Sequence, residues 1–504
     1  MKRDVVANFI TAAWLAILTF AFTPIYVRYL GVEAYGLIGL LNALQASLGV
    51  LDLGLSQVLA RELARYSGGA VSTRSIRNLV RSVEIVALVL AVVIAFAIAL
   101  PSNWIAQSWL RPGQAFVAGL VEAIQIMGVL VALRLLEGLY RGAVTGIHRQ
   151  FALNVIMMAC MTVKTFGSLA LFVFISTSVR DFFLWQATVS AINVGLLAVL
   201  LYAALPDRHL HGVFSYSELR RISRFAAGLT AASVLGIALT QTDKLLLSKL
   251  LSLRAFGEYS LAATLAAAPQ IFAAPITQAV QPRFARAIAA SDSSTLTLAF
   301  HAGAQLLTVI VGSASVVIIV FSGEILALWL QDAGLAARIS PLVSLLATGG
   351  LLNSLMWLPY ALQLAYGWSG LSVRTNIVAV IVLVPAILIL APVYGALGAA
   401  WLWVALNFGL FTITAYFMFR RILSDQKRIW YAVDIAAPLL AAIGAALLAK
   451  ILMPAGETVW QRVIVVGLAS AATLATSALA APLVRTEVGL LIWRFIRRCA
   501  PERI

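Results

Sequence analysis

Long apolar runs separated by short polar connections fill the chain from Phe9 almost to its end. Runs of about 18 or more such residues are long enough to cross a bilayer as α-helices. The pattern predicts spans near 9–29, 36–60, 82–101, 115–139, 150–176, 182–204, 225–248, 256–281, 296–321, 341–363, 375–393, 395–419, 432–452 and 462–484, about fourteen in all. Strict apolar–polar alternation, the mark of a transmembrane β-barrel, does not occur. The expected fold class is an all-α polytopic membrane protein. Lys2-Arg3 followed by an apolar run could pass for a secretory leader. The run continues to about Tyr29 without a convincing small-residue cleavage site, so it reads as a first span.

The polar residues that interrupt these runs are informative. In VLDLGLSQVLARELAR (50–65), Asp52 lies inside the second span while Arg61 and Arg65 mark its end. At 1.5 Å per residue Asp52 is about 13 Å deeper than Arg61. Asn42, Gln45, Gly49, Asp52 and Ser56 follow one another at helical spacing, so a continuous helix would present them as one polar stripe. Such a stripe faces a wet interior or a neighbouring helix. Helix packing through Gly49 with Asp52 hydrogen-bonded to a neighbour is the structural alternative, and proton coupling the sharper one. Lys164 stands roughly 22 Å into the fifth span, too deep to snorkel easily. Asn154, Lys164 and Ser168 are compatible with one face of that helix.

Composition agrees with this class: 62% of the 504 residues are hydrophobic and only 11% are charged, against about 25% in soluble domains. A net charge of +16 would ordinarily raise nucleic acid as a partner. With the N-terminus cytoplasmic, however, 26 of the 36 Lys and Arg residues fall on cytoplasmic segments and 8 on the opposite side, with Lys164 and Lys244 inside spans. That bias is the positive-inside rule. The basic balance thus signals orientation, with anionic membrane lipid as the surface partner and no nucleic acid.

Two cysteines, Cys160 and Cys499, and four histidines provide neither a disulfide framework nor a Cys-rich metal site. His209 and His211, in the longest connection, read as a solvated loop. There is no H-E-x-x-H, P-loop or G-x-S-x-G motif, and no connection long enough for a catalytic domain, so no enzyme and no cofactor are expected.

The chain also repeats itself. YLGVEAYGLIGL (29–40) matches LLSLRAFGEYSL (250–261) at an offset of 221, which aligns Ala34 with Ala255, Tyr35 with Phe256 and Gly36 with Gly257. The same offset aligns Gln57 with Gln278 and Gly146 with Gly367, and at 220 SNWIAQSWL meets SGEILALWL. Six spans separate the copies, so the repeat is parallel, which predicts two pseudo-symmetric six-helix lobes. The expected organisation is an N-terminal lobe over 1–204, a cytoplasmic linker over 205–224, a C-terminal lobe over 225–424, a transmembrane hairpin over 425–484 and a basic amphipathic tail over 485–504.

The stretch TPIYVRYLGVEAYGLIGLLNALQASLGVLDLGLSQVLARELA resembles the opening of bacterial polysaccharide exporters of the Wzx type. QTDKLLLSKLLSLRAFGEYSLAA and QLAYGWSGLSVRTNI are similar to the same family. The superfamily also holds the MATE multidrug exporters and the MurJ lipid II flippases. The resemblance implies two six-helix lobes in a V shape. It also implies flipping of a polyprenyl-diphosphate-linked oligosaccharide across the inner membrane for surface polysaccharide assembly, alongside other polysaccharide-assembly proteins. MurJ-type flippases carry an arginine within the first span. Here the span NFITAAWLAILTFAFTPIYV has none before Arg28, so that residue is not carried over and lipid II is disfavoured.

A flippase needs a polar, preferably cationic cavity, and intramembrane ionisable residues are its default candidates. The substrate-binding candidates are Lys164, Lys244, Asn42, Gln45 and Gln241; Asp52, Glu122, His301 and Asp243 are candidates for ion coupling. Glu122 is also a candidate partner for Lys164, and Arg134, Glu137 and Arg141 read as an interfacial charge cluster. Two other classes compete. A MATE-like exporter of cations would prefer acidic cavities, and a membrane-bound polymerase would carry a large periplasmic loop. The charge bias predicts fourteen spans with both ends cytoplasmic. Reporter fusions and cysteine labelling should place both ends inside; labelling of Cys499 from outside intact cells would overturn this topology.

Overall fold

A computed structural model describes residues 2–47, 52, 54–110, 119–205, 212–452 and 458–486. Gly49, His209, His211, Cys499 and most of the predicted tail lie outside the described residues. The described residues are nearly all helical and contain no strand. Among them, nine helical segments are long and apolar enough to cross a membrane, or ten if the pair Leu253–Ala266 and Ala268–Ala289, bent by 40°, forms one span. The chain divides into two compact units, Met1–Glu258 and Tyr259–Ile504.

Unit 1 holds α1 (Lys2–Leu30), α2 (Val32–Ser47), α3 (Leu55–Ser67), α4 (Thr73–Ala99), α5 (Leu120–Gly146), α6 (Gln150–Phe174), α7 (Val179–Ala204) and α8 (Tyr216–Leu250), and its boundary falls inside α9 (Leu253–Ala266). Leu59, Leu63, Leu79, Val83, Leu139 and Leu197 form a shared core of α3, α4, α5 and α7. A buried carboxylate, Glu84, ties three of these helices together. It accepts hydrogen bonds from the hydroxyls of Tyr140 (2.6 Å) on α5 and Tyr202 (2.5 Å) on α7, and pairs with Arg81 at 3.3 Å. Among the repeated residues, Gly36 and Gly257 meet each other, since a Cβ on Gly36 would stand 3.3 Å from the Gly257 nitrogen.

The second predicted span is not one helix. α2 ends at Ser47 and α3 begins at Leu55, preceded by Gly54 in the left-handed region at φ 67°. Asp52 lies at this break, and its carboxylate accepts the Ser56 hydroxyl at 2.7 Å and the Ser56 backbone N–H at 3.3 Å. A short acidic side chain that bonds to backbone just ahead of it favours a helix start over a helix interior. The continuous polar stripe expected from Asn42 to Ser56 is therefore interrupted.

Unit 2 contains α10 (Ala273–Ala289), α11 (Ser293–Leu307), α12 (Ser313–Val320), α13 (Ser322–Leu330), α14 (Ala333–Leu355), α15 (Trp357–Ala365), α16 (Gly370–Gly409), α17 (Ala415–Arg421), α18 (Ala437–Leu452) and α19 (Val459–Ala480). π-Helical turns at Thr308–Gly312 and Leu410–Thr414 join α11 to α12 and α16 to α17, and a third at Trp430–Ala436 leads into α18. Phe284, Phe300, Phe411, Phe419 and Trp430 fill the largest core of this unit. α16 is hinged at Gly395, where φ is 60° and ψ −144°, at the start of the predicted span 395–419. Outside the bilayer-spanning part, Asp292 caps α11. The Thr295 hydroxyl and N–H donate to its carboxyl and hold it down at about 2.

Close helix approach in unit 1 rests on Gly138, Gly142 and Gly146, one turn apart on α5. A Cβ on Gly142 would collide with the Ser56 carbonyl, and one on Gly146 with the Ala60 carbonyl. This is small-residue packing of membrane helices, which gains van der Waals contact where lipid offers no hydrophobic drive. Gly142→Leu is expected to cost about 1–3 kcal/mol or to abolish folding. Gly195→Ala on α7, with nothing within 4 Å, should be neutral or stabilising by about 0.5–1 kcal/mol. Thermal melts of the purified variants check both; equal melting of Gly142→Leu and wild type would refute the tight contact.

Candidate functional site

Lys164 lies on α6, and its ammonium donates to the Ser190 hydroxyl of α7 at 2.8 Å. The Trp185 indole N–H of α7 donates to the Lys164 backbone oxygen at 3.1 Å. Both contacts hold the two helices in register at this level. Lys164 lines a cavity of about 240 Å³ together with Arg134, Glu137 and Arg141 of α5, Cys160 of α6, and Ser190 and Asn193 of α7. Arg134, Glu137 and Arg141 follow at intervals of three and four, so one face of α5 carries all of them. Glu137 is only 6% exposed, and Arg134 and Arg141 reach its Oε1 at 2.6 and 3.9 Å. Three cations therefore face one carboxylate, and the cavity keeps a net positive charge suited to an anion.

This grouping changes two expectations. Arg134, Glu137 and Arg141 form part of the wall around Lys164, not merely an interfacial cluster. Glu122 is not the partner of Lys164. It sits in the first turn of α5, more than half exposed, and pairs with Arg180 at 2.5 Å. A position in the first turn keeps that carboxylate near solvent, where an arginine can meet it. Asn154 does not join Lys164 either; its amide donates to Asn8 of α1 at 2.6 Å, while the Ser168 hydroxyl returns to the Lys164 backbone oxygen.

The other candidates stand apart from this cavity. Lys244 donates to its own helix at the Thr240 carbonyl, 2.8 Å away, and lies 3.9 Å from Asp243. Gln241 is 3.4 Å from the Thr240 hydroxyl. Asn42 is exposed on α2 and Gln45 half-buried. None of these lines the cavity of Lys164. Asp52 is engaged with Ser56, as described above.

Unit 2 holds a second polar cluster. His301 of α11 is buried; its Nδ1 lies 2.5 Å from Oδ2 of Asp434 and its Nε2 2.9 Å from Oε1 of Gln426. The Gln305 amide donates to Asp434 Oδ1 at 2.9 Å and accepts the Leu483 backbone N–H at 2.8 Å. Asp434 is fully buried on the π-helical turn Trp430–Ala436. A cavity of about 570 Å³, lined also by Ser293 and Thr297, opens beside the pair. Of this cluster the sequence singles out His301 as a candidate but neither Gln305 nor Asp434. The one available signal was an acidic residue inside the apolar run 432–452. Among the described residues no cluster of His, Cys, Asp and Glu could hold a metal.

Comparison with known proteins agrees with this architecture. The family described as "Polysaccharide biosynthesis protein" matches residues 2–288, more than half of the chain. A Shigella flexneri protein named "Putative O-antigen transporter" is 23% identical over 388 residues, 75% of this chain and 87% of that protein. A structure of the lipid II flippase MurJ in an inward closed conformation superposes with a TM-score of 0.68 at 11% identity, covering 95% of this chain and 98% of MurJ. An inward-facing multidrug resistance MATE transporter gives 0.63 at 14% identity, covering 84% of this chain and 96% of the transporter. At these identities the likeness shows a shared fold, and these proteins are transporters and flippases, not enzymes. The chain belongs to the polysaccharide biosynthesis protein family and is a membrane-embedded member built on the helical fold of MATE and MurJ.

Proposed function

We propose that the protein flips a polyprenyl-diphosphate-linked oligosaccharide across the bacterial inner membrane for assembly of a surface polysaccharide (O-antigen, capsule or exopolysaccharide). The observation that carries this reading is the cavity of unit 1, where Lys164, Arg134 and Arg141 surround a single carboxylate within the bundle. A lysine as deep in its helix as Lys164 costs roughly 2.5–3.5 kcal/mol, and with Arg134 and Arg141 beside it the gathered positive charge needs an anion to serve. Desolvated ammonium and guanidinium contacts to phosphate are strong, and a diphosphate needs such a shelter while its lipid tail stays in the bilayer. The family match and the name of the Shigella relative favour a saccharide-linked substrate over a small-molecule drug.

The mechanism we propose is alternating access by two six-helix lobes, spans 1–6 and 7–12, with spans 13 and 14 as an added hairpin. The meeting of the repeat-related Gly36 and Gly257 supports that pseudo-symmetry. In this reading Lys244, Gln241, Asn42 and Gln45 contact substrate at other stages of the cycle. Coupling to protons is assigned to His301 and Asp434, a buried pair beside an open cavity. Gln305, Gln426, Ser293 and Thr297 are the polar neighbours that face it.

Lys164→Ala should lower surface glycan roughly tenfold or more in a deletion strain, with normal membrane protein level, and Lys164→Arg should retain part of the export because it keeps the charge. Normal export by Lys164→Ala at normal protein level would sink the cationic-cavity reading. For the second cluster, His301→Gln and Asp434→Asn in reconstituted vesicles should leave substrate exchange intact while uptake stops responding to an imposed pH gradient. A full gradient response in both variants would exclude this pair as the proton carrier.

A further inference from the structure

One cavity of unit 2 has no part in the reading above. It is a groove of about 730 Å³ between the two arms of the Gly395 hinge. One arm contributes Arg374, Val378 and Val382, and the other Leu406, Ile413 and Arg421. These positions recur at helical spacing on both arms, so each arm turns one continuous stripe toward the groove. From Leu402, also in the wall, to Arg421 the second arm rises about 28 Å, close to the thickness of a hydrocarbon core. Val378, Val382 and Ile413 are more than half exposed, so the groove opens sideways along the helices.

Its chemistry is one-ended. Along its length the wall is mostly aliphatic and aromatic, with Thr375 and Thr414 as its uncharged polar residues, and among the described residues no carboxylate lines it. Both arginines stand at the end remote from Gly395. Arg421 stacks its guanidinium over the Trp368 ring at 4.6 Å, which fixes the plane and leaves its edge N–H groups free to donate. Neither Arg374 nor Arg421 has an ion pair among the described residues. Nearby, Arg420 and Lys427 both lie over the Tyr416 ring, at 5.8 and 4.6 Å. The charge bias of the chain puts this end on the cytoplasmic side.

We propose that this groove is a binding site for an anionic glycerophospholipid, with its phosphodiester between Arg374 and Arg421 and an acyl chain along the apolar stripe. An apolar slot that ends in two guanidinium groups without an ion pair among the described residues complements a single molecule with a long hydrocarbon chain and a phosphate at one end. A saccharide-bearing lipid fits less well, because the mouth offers only Thr375 and Trp368 besides the arginines and has no array of amides or carboxylates to hold sugars. The proposal does not depend on the identity of the transported substrate.

The test is native mass spectrometry of the purified full-length protein mixed with phosphatidylglycerol or phosphatidylcholine of identical acyl chains. Wild type should retain phosphatidylglycerol on the order of tenfold better, since each arginine near a lipid phosphate contributes about as much as one surface charge. Arg374→Gln with Arg421→Gln should bring the two lipids to parity at unchanged melting temperature. The double lysine variant, Arg374→Lys with Arg421→Lys, should keep most of the preference. Ala405→Trp, which fills the groove from its wall, should lower retention of both lipids. Equal retention by wild type, or an intact preference in the double glutamine variant, would overturn the proposal. It would also fall if undecaprenyl phosphate displaced phosphatidylglycerol from wild type but not from the double glutamine variant, because the groove would then belong to the polyprenyl lipid.

Discussion

A carboxylate can stay ionised inside a membrane bundle only where donors or cations reach it, and Glu137 is placed where two arginines do. Removing either arginine would leave a buried charge under-compensated, so the face of α5 that bears Arg134, Glu137 and Arg141 behaves as one element. The opposite demand acts on the same helix, where Gly138, Gly142 and Gly146 bring α3 close to the backbone. α5 thus carries a bare face for packing and a charged face for the cavity. Lys164 on α6 meets that charged face because Ser190 and Trp185 of α7 hold it there.

Other buried or half-buried carboxylates are accommodated differently. Glu84 is held by two tyrosine hydroxyls and an arginine, Asp52 by the hydroxyl and N–H of Ser56, and Asp434 by His301 and Gln305. Tyrosine and serine supply donors without added charge, which suits a structural fastening. A histidine adds a group that can itself gain a proton, which suits a site that changes state. Cation-rich surroundings, as at Glu137, leave positive charge over for a ligand. The role assigned to each cluster follows from which kind of partner it has.

Several features were legible in the sequence because they depend on local pattern. The helical class followed from long unbroken apolar runs. Lys164 stood out because nothing else charged interrupts its helix. The second span misled, since apolar periodicity runs across 36–60 without registering that Asp52 and Gly54 start a new helix. Glu122 misled for a related reason. Distance along the chain suggested depth, while the helix actually begins at Leu120 and leaves that carboxylate near its end.

The sequence by itself determined that the chain is built of long apolar helices, that it repeats itself at 221 residues and that Lys164 interrupts one such helix, because those properties belong to consecutive residues and their spacing. Only the tertiary structure decided that Arg134 and Arg141 share a cavity with Lys164 and that Asp434 lies against His301, 133 positions away. It likewise decided that Arg374 and Arg421 end the same groove. A helix fixes which of its own residues share a face. Which face meets which depends on close backbone approach at glycines, as at Gly142, and on satisfaction of buried polar groups by distant donors, and neither is encoded within any single helix.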